Sequence, residues 1–472
     1  MKYINLHIAL VAFICILSVN TGFAQVTKTD YFMKSSSLRN GLNPALCPAR
    51  GYLVPLIPNI GANAQTNSFY LDNFTFKNPG GERVSFMHQS IGADSFLGRL
   101  SEDNYASADV NVKLFALGFY KDDVFWNFDM GVRTHADVNI PKPFFGLLKE
   151  GFAQGEQTRY DLSDLSATGY SFLELGVSYA RPVNQNLILG TRLKLLGGLA
   201  DFDLNAKSLS IDAGPDYWKA KSKVTLKGSA PRVWPRYDSK DNLEGFDFSN
   251  GFNFSGIGIG LDFGGVYDVR DLVPLLEGLK VSFALNDVGL VYWTRENTIH
   301  LQSPETEVII SPNDYSVYKE GQSSLSDILT DAFDDIKEAV NLRGETRKGR
   351  FTGLRLNTNI GLEYELVQDK LSAGLLYSAR FGNYFTLSEW TLSLNYRPCN
   401  WFAVSTAYSF VHSDFDNIGF ALNLTPSRGV NFFIASDYVL PHVSSEFIPT
   451  TSKALNFQLG ISIPFGSKDG FW

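Results

Sequence analysis

Strand-length segments that alternate apolar and polar residues almost without error constrain this chain more than any other feature. From Leu354 to Leu366 one set is Leu354, Leu356, Thr358, Ile360, Leu362, Tyr364 and Leu366, and the other is Arg355, Asn357, Asn359, Gly361, Glu363 and Glu365. Near the C-terminus Leu455, Phe457, Leu459, Ile461 and Ile463 interleave with Asn456, Gln458, Gly460 and Ser462. A period of two sends each set to its own face of a sheet. One face is apolar and the other carries charge. Repeated over many strands of about ten residues, that pattern predicts a transmembrane β-barrel with lipid outside and a polar lumen inside.

The composition agrees. The chain has 472 residues, with Gly 41, Phe 37 and Tyr 21 high and Cys 3, Met 4 and His 6 low. Mean hydropathy is only -0.07, which argues against a bundle of membrane helices. A barrel looks this mild because half of each strand is polar. A net charge of -8 gives no basic surface for nucleic acid.

The N-terminus reads as an export signal. Lys2 precedes an apolar stretch from Ile8 to Val19, and Thr21-Gly22-Phe23-Ala24 offers small residues before a cleavage point. Residues 1–24 are expected to be a signal peptide, with Gln25 first in the mature chain. Beyond it no apolar run is long enough for a membrane helix. Residues 25–51 lack a strand pattern and are read as a periplasmic tail or as a plug folded into the lumen. Residues 52–472 are expected to form the barrel.

Candidate strands fall near 52–68, 109–119, 123–135, 168–181, 186–205, 252–269 and 279–300. The rest fall near 351–366, 370–380, 388–397, 401–410, 416–425, 429–438 and 453–465. The count is about fourteen, an even number. Tight turns such as Lys121-Asp122-Asp123, Val367-Gln368-Asp369 and Pro398-Cys399-Asn400 alternate with long excursions near 69–108, 136–167, 206–251 and 301–350. Short periplasmic turns and long extracellular loops are the outer-membrane arrangement, and they orient the chain with both ends at the periplasm.

Within the long loops, helices are expected over Ser324–Val340 and near Pro143–Gly151. In the first, Leu325, Ile328, Leu329, Ala332, Phe333 and Ile336 recur at helical spacing, with Ser324 and Asp327 resembling a capping box. It is read as a lid packed on the rim or as a mobile gate. The stretch 206–230 is expected to carry the wall outward as a hairpin.

Strand parity turns Glu174, Arg192, Lys194, Asp262, Arg355, Glu363, Glu365 and Arg397 toward the lumen. Mixed signs fit internal salt bridges or a charged aqueous pore. Gly256 to Gly265 mimics a dinucleotide loop, but the alternation runs through it and no helix follows. Glycines on its lumen face leave space for a plug or a ligand. His88, His135, His300, His412 and His442 lack metal-ligand spacing, and Cys47 and Cys399 are as consistent with free thiols as with a bridge. His412-Ser413-Asp414 are adjacent, so they cannot converge as a triad among themselves. The chain is read as a non-enzyme, without catalytic, cofactor or metal residues.

Asn43-Pro44-Ala45 before the first long strand, about fourteen strands, and a kinked strand reading Leu285-Asn286-Asp287-Val288-Gly289 together carry a resemblance. The chain resembles the FadL-like fatty-acid transporter barrels and their Bacteroidota relatives, including PorV-like proteins, most closely an uncharacterised Bacteroidota family. The resemblance implies that Asn43, Pro44 and Ala45 belong to a lumen hatch, and that Asp287 and Gly289 sit at a wall kink that opens toward lipid. It implies an outer-membrane location and either a passive channel for small hydrophobic, fatty-acid-like molecules or a non-transporting interaction barrel serving protein secretion or surface attachment. A general porin is a third reading. Expected partners are outer-membrane lipid, a hydrophobic ligand, or a secretion or surface protein.

Overall fold

The computed structural model describes residues 27–150, 157–214, 218–237, 243–247, 253–271, 277–303, 307–310, 340, 342–382, 384–411, 414–426, 429–439 and 453–466. The signal peptide expected over residues 1–24, His412, Ser413, His442 and the helix expected over Ser324–Val340, except Val340 itself, lie outside them.

Fourteen antiparallel strands close into one barrel. In chain order β1 comprises Gly51–Val54 and Asn59–Thr66, followed by β2 (Asp103–Lys121), β3 (Val124–Pro141), β4 (Ser166–Pro182) and β5 (Leu187–Ala213). Next come β6 (Gly256–Asp268), β7 (Leu279–Trp293), β8 (Arg350–Gly353 and Asn357–Val367), β9 (Leu371–Phe381) and β10 (Thr386–Cys399). The last are β11 (Phe402–Val411), β12 (Asp414–Leu424), β13 (Asn431–Val439) and β14 (Ala454–Phe465). Each strand pairs with the next, and β14 returns to β1 with Leu459 opposite Ile60 and Phe465 opposite Gly51. Closure leaves no strand edge to present unpaired backbone groups to lipid.

Burial is inverted relative to a water-soluble sheet. Leu392, Leu394, Phe432 and Ile434 face outward and are about half exposed, while Asn359, Ser405, Ser409 and Asp437 face inward and are fully buried. The apolar face has only lipid to meet. The polar face meets its own kind across the lumen.

One end of the barrel carries tight turns. Asp122 and Asp369 adopt left-handed φ values of 56° and 57° there, a conformation that short polar side chains tolerate. At the other end the wall extends well past the apolar band. There β5 pairs with a strand at Trp218–Ser229, which also pairs with Thr298–Gln302. The hairpin expected over 206–230 is therefore present.

Among the described residues three short helices cap this end: α1 (Leu71–Phe74), α2 (Ala93–Leu97) and α3 (Lys142–Glu150). Phe74, Phe86, Phe96, Phe144 and Phe145 pack edge-on or stacked into an apolar core beneath them. The spacing of Phe144, Leu147 and Leu148 had marked α3 as rim-packed, and all three are buried.

β1 is interrupted by Pro55-Leu56-Ile57-Pro58, with Leu56 80% exposed. The two prolines have no N–H to leave unsatisfied. Beside the interruption, Asn59 Oδ1 accepts the Ile461 N–H at 2.8 Å in place of a ladder partner.

Candidate functional site: a filled lumen beside a break in the wall

Residues 27–50 lie inside the barrel. From Thr27 the segment descends toward the turn end at Lys34, rises to Leu42 and descends again into β1. Thr27 N–H donates to Gln458 Oε1 at 2.9 Å. The Lys28 and Thr29 amides donate to the two Asp437 carboxylate oxygens at 2.9 and 2.8 Å, and the Lys28 ammonium pairs with Glu389. At the turn end Lys34 Nζ bridges Glu365 at 2.6 Å and Asp369 at 3.2 Å. At mid-height the Leu42 carbonyl accepts from Asn286 at 2.8 Å and Asn359 at 2.9 Å. An irregular segment satisfies its backbone in this way with the polar lumen face of the strands.

Asn43, Pro44 and Ala45 lie at the inner wall of β5 and β6. Asn43 donates to the Tyr31 hydroxyl at 3.1 Å and the Phe283 carbonyl at 3.2 Å, and accepts from the Ala45 N–H at 2.9 Å. A β-carbon at Gly264 would overlap the Asn43 carboxamide, and one at Gly190 would overlap the Pro44–Ala45 peptide. Further along the wall, on β9, Phe32 covers Gly374 in the same way. The lumen glycines are seats for this segment.

Asp30 is fully buried beside Asp437, with its carboxylate accepting from Thr27 Oγ1 at 3.2 Å and Ser36 Oγ at 2.7 Å. Burial pushes its carboxyl up to about 7, with Asp437 adding to the rise against those two hydrogen bonds. The seated carboxyl therefore holds its proton more tightly than a free one, whose ordinary value is 3.8. That contribution to seating is fully present below the free value and is lost as pH rises through about 7. Stability to unfolding in detergent is expected to be higher at about pH 5 than at about pH 8.5, and Asp30→Asn is expected to flatten the difference. An unchanged pH profile in that variant would remove Asp30 as the cause.

Above the plug the lumen charges meet. Lys194 Nζ lies 2.7 Å from Asp262 and 2.6 Å from Asp287. Arg133 grips Asp287 with both terminal nitrogens, at 2.7 and 2.9 Å, and reaches Glu174 at 3.1 Å. Arg192 pairs with Glu174 at 2.6 Å and with Asp129, which Lys113 also approaches at 3.3 Å. In this cluster Lys113, Arg133, Arg192 and Lys194 balance Asp129, Glu174, Asp262 and Asp287. Buried charge at this density is tolerated only when paired.

Nearer the loop end a second group forms. His135 Nδ1 is 2.8 Å from Asp109 and its Nε2 is 2.9 Å from Asp137. Arg380 pairs with Asp109 at 2.8 Å, and Arg355 Nη1 donates to Ser107 Oγ at 3.1 Å. Between the plug and these two groups remains a cavity of about 100 Å³, lined by Arg133, His135, Asp287, Arg355 and Arg380 among others.

Of the residues singled out by parity, Glu174, Arg192, Lys194 and Asp262 come together, and Arg355 lies nearby. Glu363 instead accepts from Ser372 at 2.9 Å, and Glu365 binds the plug. Arg397 sits at the turn end, bonded to Asn400 at 3.0 Å, away from the network. Parity applied to β3 would also have found Asp129, Arg133, His135 and Asp137, which alternate on one face. Cys47 and Cys399 are both free. Among the described residues no group of potential ligands could hold a metal ion.

The wall is irregular beside this network. Asp287 has φ 64°, and the β6–β7 register slips between Leu261 and Phe263 to absorb it as a bulge. Its N–H leaves the ladder and donates to Asp262 Oδ1 at 2.7 Å. At Gly289 the Ile259 carbonyl comes too close for a β-carbon. On the other side β7 pairs with both parts of β8, but the intervening Leu354, Arg355 and Leu356 are not in strand conformation. The uninterrupted strand expected over 351–366 is therefore divided. The kink opposite draws β7 away, and one bond from Leu354 N–H to the Gly289 carbonyl, 3.0 Å, spans the gap.

The model of DUF5723, a family of unknown function, matches residues 44–437. The chain belongs to this family. The DUF5723 match runs from Pro44 in the plug to Asp437 on β13, so it includes the wall break and both charge groups. Comparison with curated proteins gives no match. Among solved structures, the Ralstonia pickettii toluene transporter TbuX is similar at 8% identity and TM-score 0.38, over 95% of this chain and 96% of that one. A Pseudomonas aeruginosa FadL homologue is 11% identical with TM-score 0.40, over 94% of this chain and 100% of that one. The translocator domain of the Neisseria meningitidis autotransporter NalP is 9% identical with TM-score 0.31, over 95% and 100%.

Proposed function

We propose that this DUF5723 barrel is a passive outer-membrane channel for small hydrophobic molecules, closed in the state described here by its N-terminal segment. The observation that carries the reading is a coincidence of position. Asn286, Asp287, Arg355 and Asn357 line the luminal cavity and also border the break between β7 and β8. A ligand in the cavity would need to displace only the least-laddered part of the wall to reach lipid. Phe172, Leu196, Val291 and Trp293 form a buried apolar cluster that Leu354 joins at the break. Apolar area of this cluster uncovered when the break opens would favour a ligand's apolar part by about 25 cal/mol per Å2 buried, a pull weak enough to allow exit.

In this reading the long loops face outward, the cap admits the ligand, and Asn43, Pro44 and Ala45 act as the hatch. Asp287 and Gly289 define the lateral port.

Mass spectrometry of compounds that co-purify with the detergent-extracted barrel tests it. A stoichiometric hydrophobic compound, lost in a Leu354→Asp variant that still folds, is the expected result. A barrel that carries none, and instead retains a stoichiometric protein partner, would replace the channel with an interaction barrel for secretion or surface attachment. That second reading is supported by the plug's many bonds to the wall, which seal the lumen at mid-height.

A further inference from the structure

We propose that the outward face above the β7–β8 seam, at Lys227, His300 and Lys348, docks a phosphate group of the acylated glycolipid that forms the outer leaflet. Beyond Trp293 and Arg350 the seam continues into the wall extension, where Thr298–Gln302 pairs with strands at Arg343–Thr346 and Trp218–Ser229. Leu226, Ile299 and Leu301 turn inward there and are buried. By alternation Lys227 and His300, which lie directly opposite each other, turn outward. The Lys227 side chain is 40% exposed, and Asp203, the carboxylate it faces, is 3.7 Å away, too far for a hydrogen bond. Lys348 is exposed where β8 leads into the extension. Its neighbours fix that segment. Arg347 donates to the Glu296 and Val233 carbonyls, both at 2.9 Å, and Gly349 lies against the Tyr292 hydroxyl, where a β-carbon would overlap it.

The charge at this point has one sign, although the whole chain carries -8. Partial burial, and then the charges of Lys227, Lys348 and Arg350, hold the His300 ring below its ordinary value, so among the described residues the charges acting on it are all cations. Arg350 is engaged by Asp201, which leaves the two lysines for an outside partner. The height is that of a headgroup. Tyr292 and Phe351 are partners across the seam with rings 4.9 Å apart, and Phe351 is 67% exposed on the lipid side. Aromatic residues so placed mark the level at which acyl chains give way to headgroups. Below them Ile257, Ile259, Val288 and Leu290 are exposed on β6 and β7. A phosphate held by Lys227 and Lys348 therefore lays its acyl chains on this strip, across the outer side of the break at 354–356. Cations above an apolar strip are the complement of a phosphorylated acyl lipid.

Native mass spectrometry of the detergent-solubilised full-length barrel tests the site. The probes are lipid A bearing two phosphates, lipid A of the same acylation stripped of phosphate, and inorganic phosphate. Phosphorylated lipid A is expected to bind saturably and at least about tenfold more tightly than the stripped form. Lys227→Gln and Lys348→Gln are each expected to weaken it about fivefold, and the double variant about twentyfold. Phe351→Ser is expected to weaken both lipids alike, because it touches only the acyl chains. Lys121→Gln/Lys370→Gln removes two exposed lysines at the turn end and should bind as the parent does. Heat-modifiable gel migration checks folding of every variant. Equal binding of the two lipid A forms, or a folded Lys227→Gln/Lys348→Gln barrel that binds like the parent, overturns the site. Inorganic phosphate that binds as tightly as lipid A would overturn the lipid as its occupant. The inference shares with the channel reading only the outward direction of the loop end. A barrel that retains lipid A but no hydrophobic compound would overturn the channel and leave this site standing, and the opposite pair of results would do the reverse.

Discussion

Replacing Lys194 with methionine is expected to destabilise the barrel by about 3–5 kcal/mol. The Lys194 ammonium is among the most deeply buried charges of the molecule, and it stands between Asp262 and Asp287. Methionine fills the same volume but leaves Asp262 facing Asp287 with one cation fewer between them. Arg133 still holds Asp287, so Asp262 bears most of the loss. The double variant Lys194→Met/Asp262→Asn is therefore expected to recover a large part of it, because asparagine can still accept the Asp287 N–H. By contrast Lys142→Met, which removes an exposed pair with Glu102, is expected to cost about 0–1 kcal/mol. Unfolding midpoints in detergent check the series. Equal midpoints for Lys194→Met and Lys142→Met would show that the lumen network is hydrated and contributes little.

Gly264→Leu is expected to convert an electrically silent barrel into a conducting one. The substitution changes no residue of the plug and no lumen charge. It places a branched side chain where the Asn43 carboxamide and the Pro44 ring now lie against the wall. The plug is held against a shift because the adjacent Leu42 is tied to Asn286 and Asn359 on the neighbouring strands β7 and β8. Unseating it removes the mid-height seal and exposes the charged lumen to water. Single-channel recording in planar bilayers should then resolve open steps that the parent barrel lacks, and Gly190→Leu should behave alike. Gly265→Leu, one position along and facing outward beside Leu189, is the control. A silent Gly264→Leu barrel would mean that the seal does not depend on this segment.

Much of the fold is legible because strand parity is a local property. The alternation of Leu392, Leu394 and Tyr396 with Ser393 and Asn395 needs no knowledge of the rest of the chain to identify a wall strand and its lipid face. The lumen was less legible because parity gives a face and not a height. Arg192 and Arg397 share inward parity, yet one lies in the central network and the other beside Asn400 at the turn end. The division of β8 was hidden for a related reason. Leu354, Arg355 and Leu356 keep the alternation while leaving the ladder, since the cause lies on a neighbouring strand, at Asp287. The course of residues 27–50 carries no periodicity of its own. Its trace survives only indirectly, in glycines of β5, β6 and β9 placed where side chains would be expected.

The bond from Thr27 to Gln458 spans 431 positions, and those from Lys28 and Thr29 to Asp437 span 409 and 408. The first described residues are thus fastened to the last two strands, and the seam of the barrel joins β1 to β14. Contacts this distant in sequence form late and slowly. Until β13 and β14 are in place, the amides of Thr27, Lys28 and Thr29 lack these partners and β1 has no second neighbour. The unfinished sheet meanwhile offers open strand edges to any other chain. Fastening the first residues of the arm and zipping the seam draw on the same strands, so they become two aspects of one terminal step in biogenesis. A chain truncated before β13 would lose its internal seal together with its closure, and would accumulate as an open sheet rather than as a leaky pore.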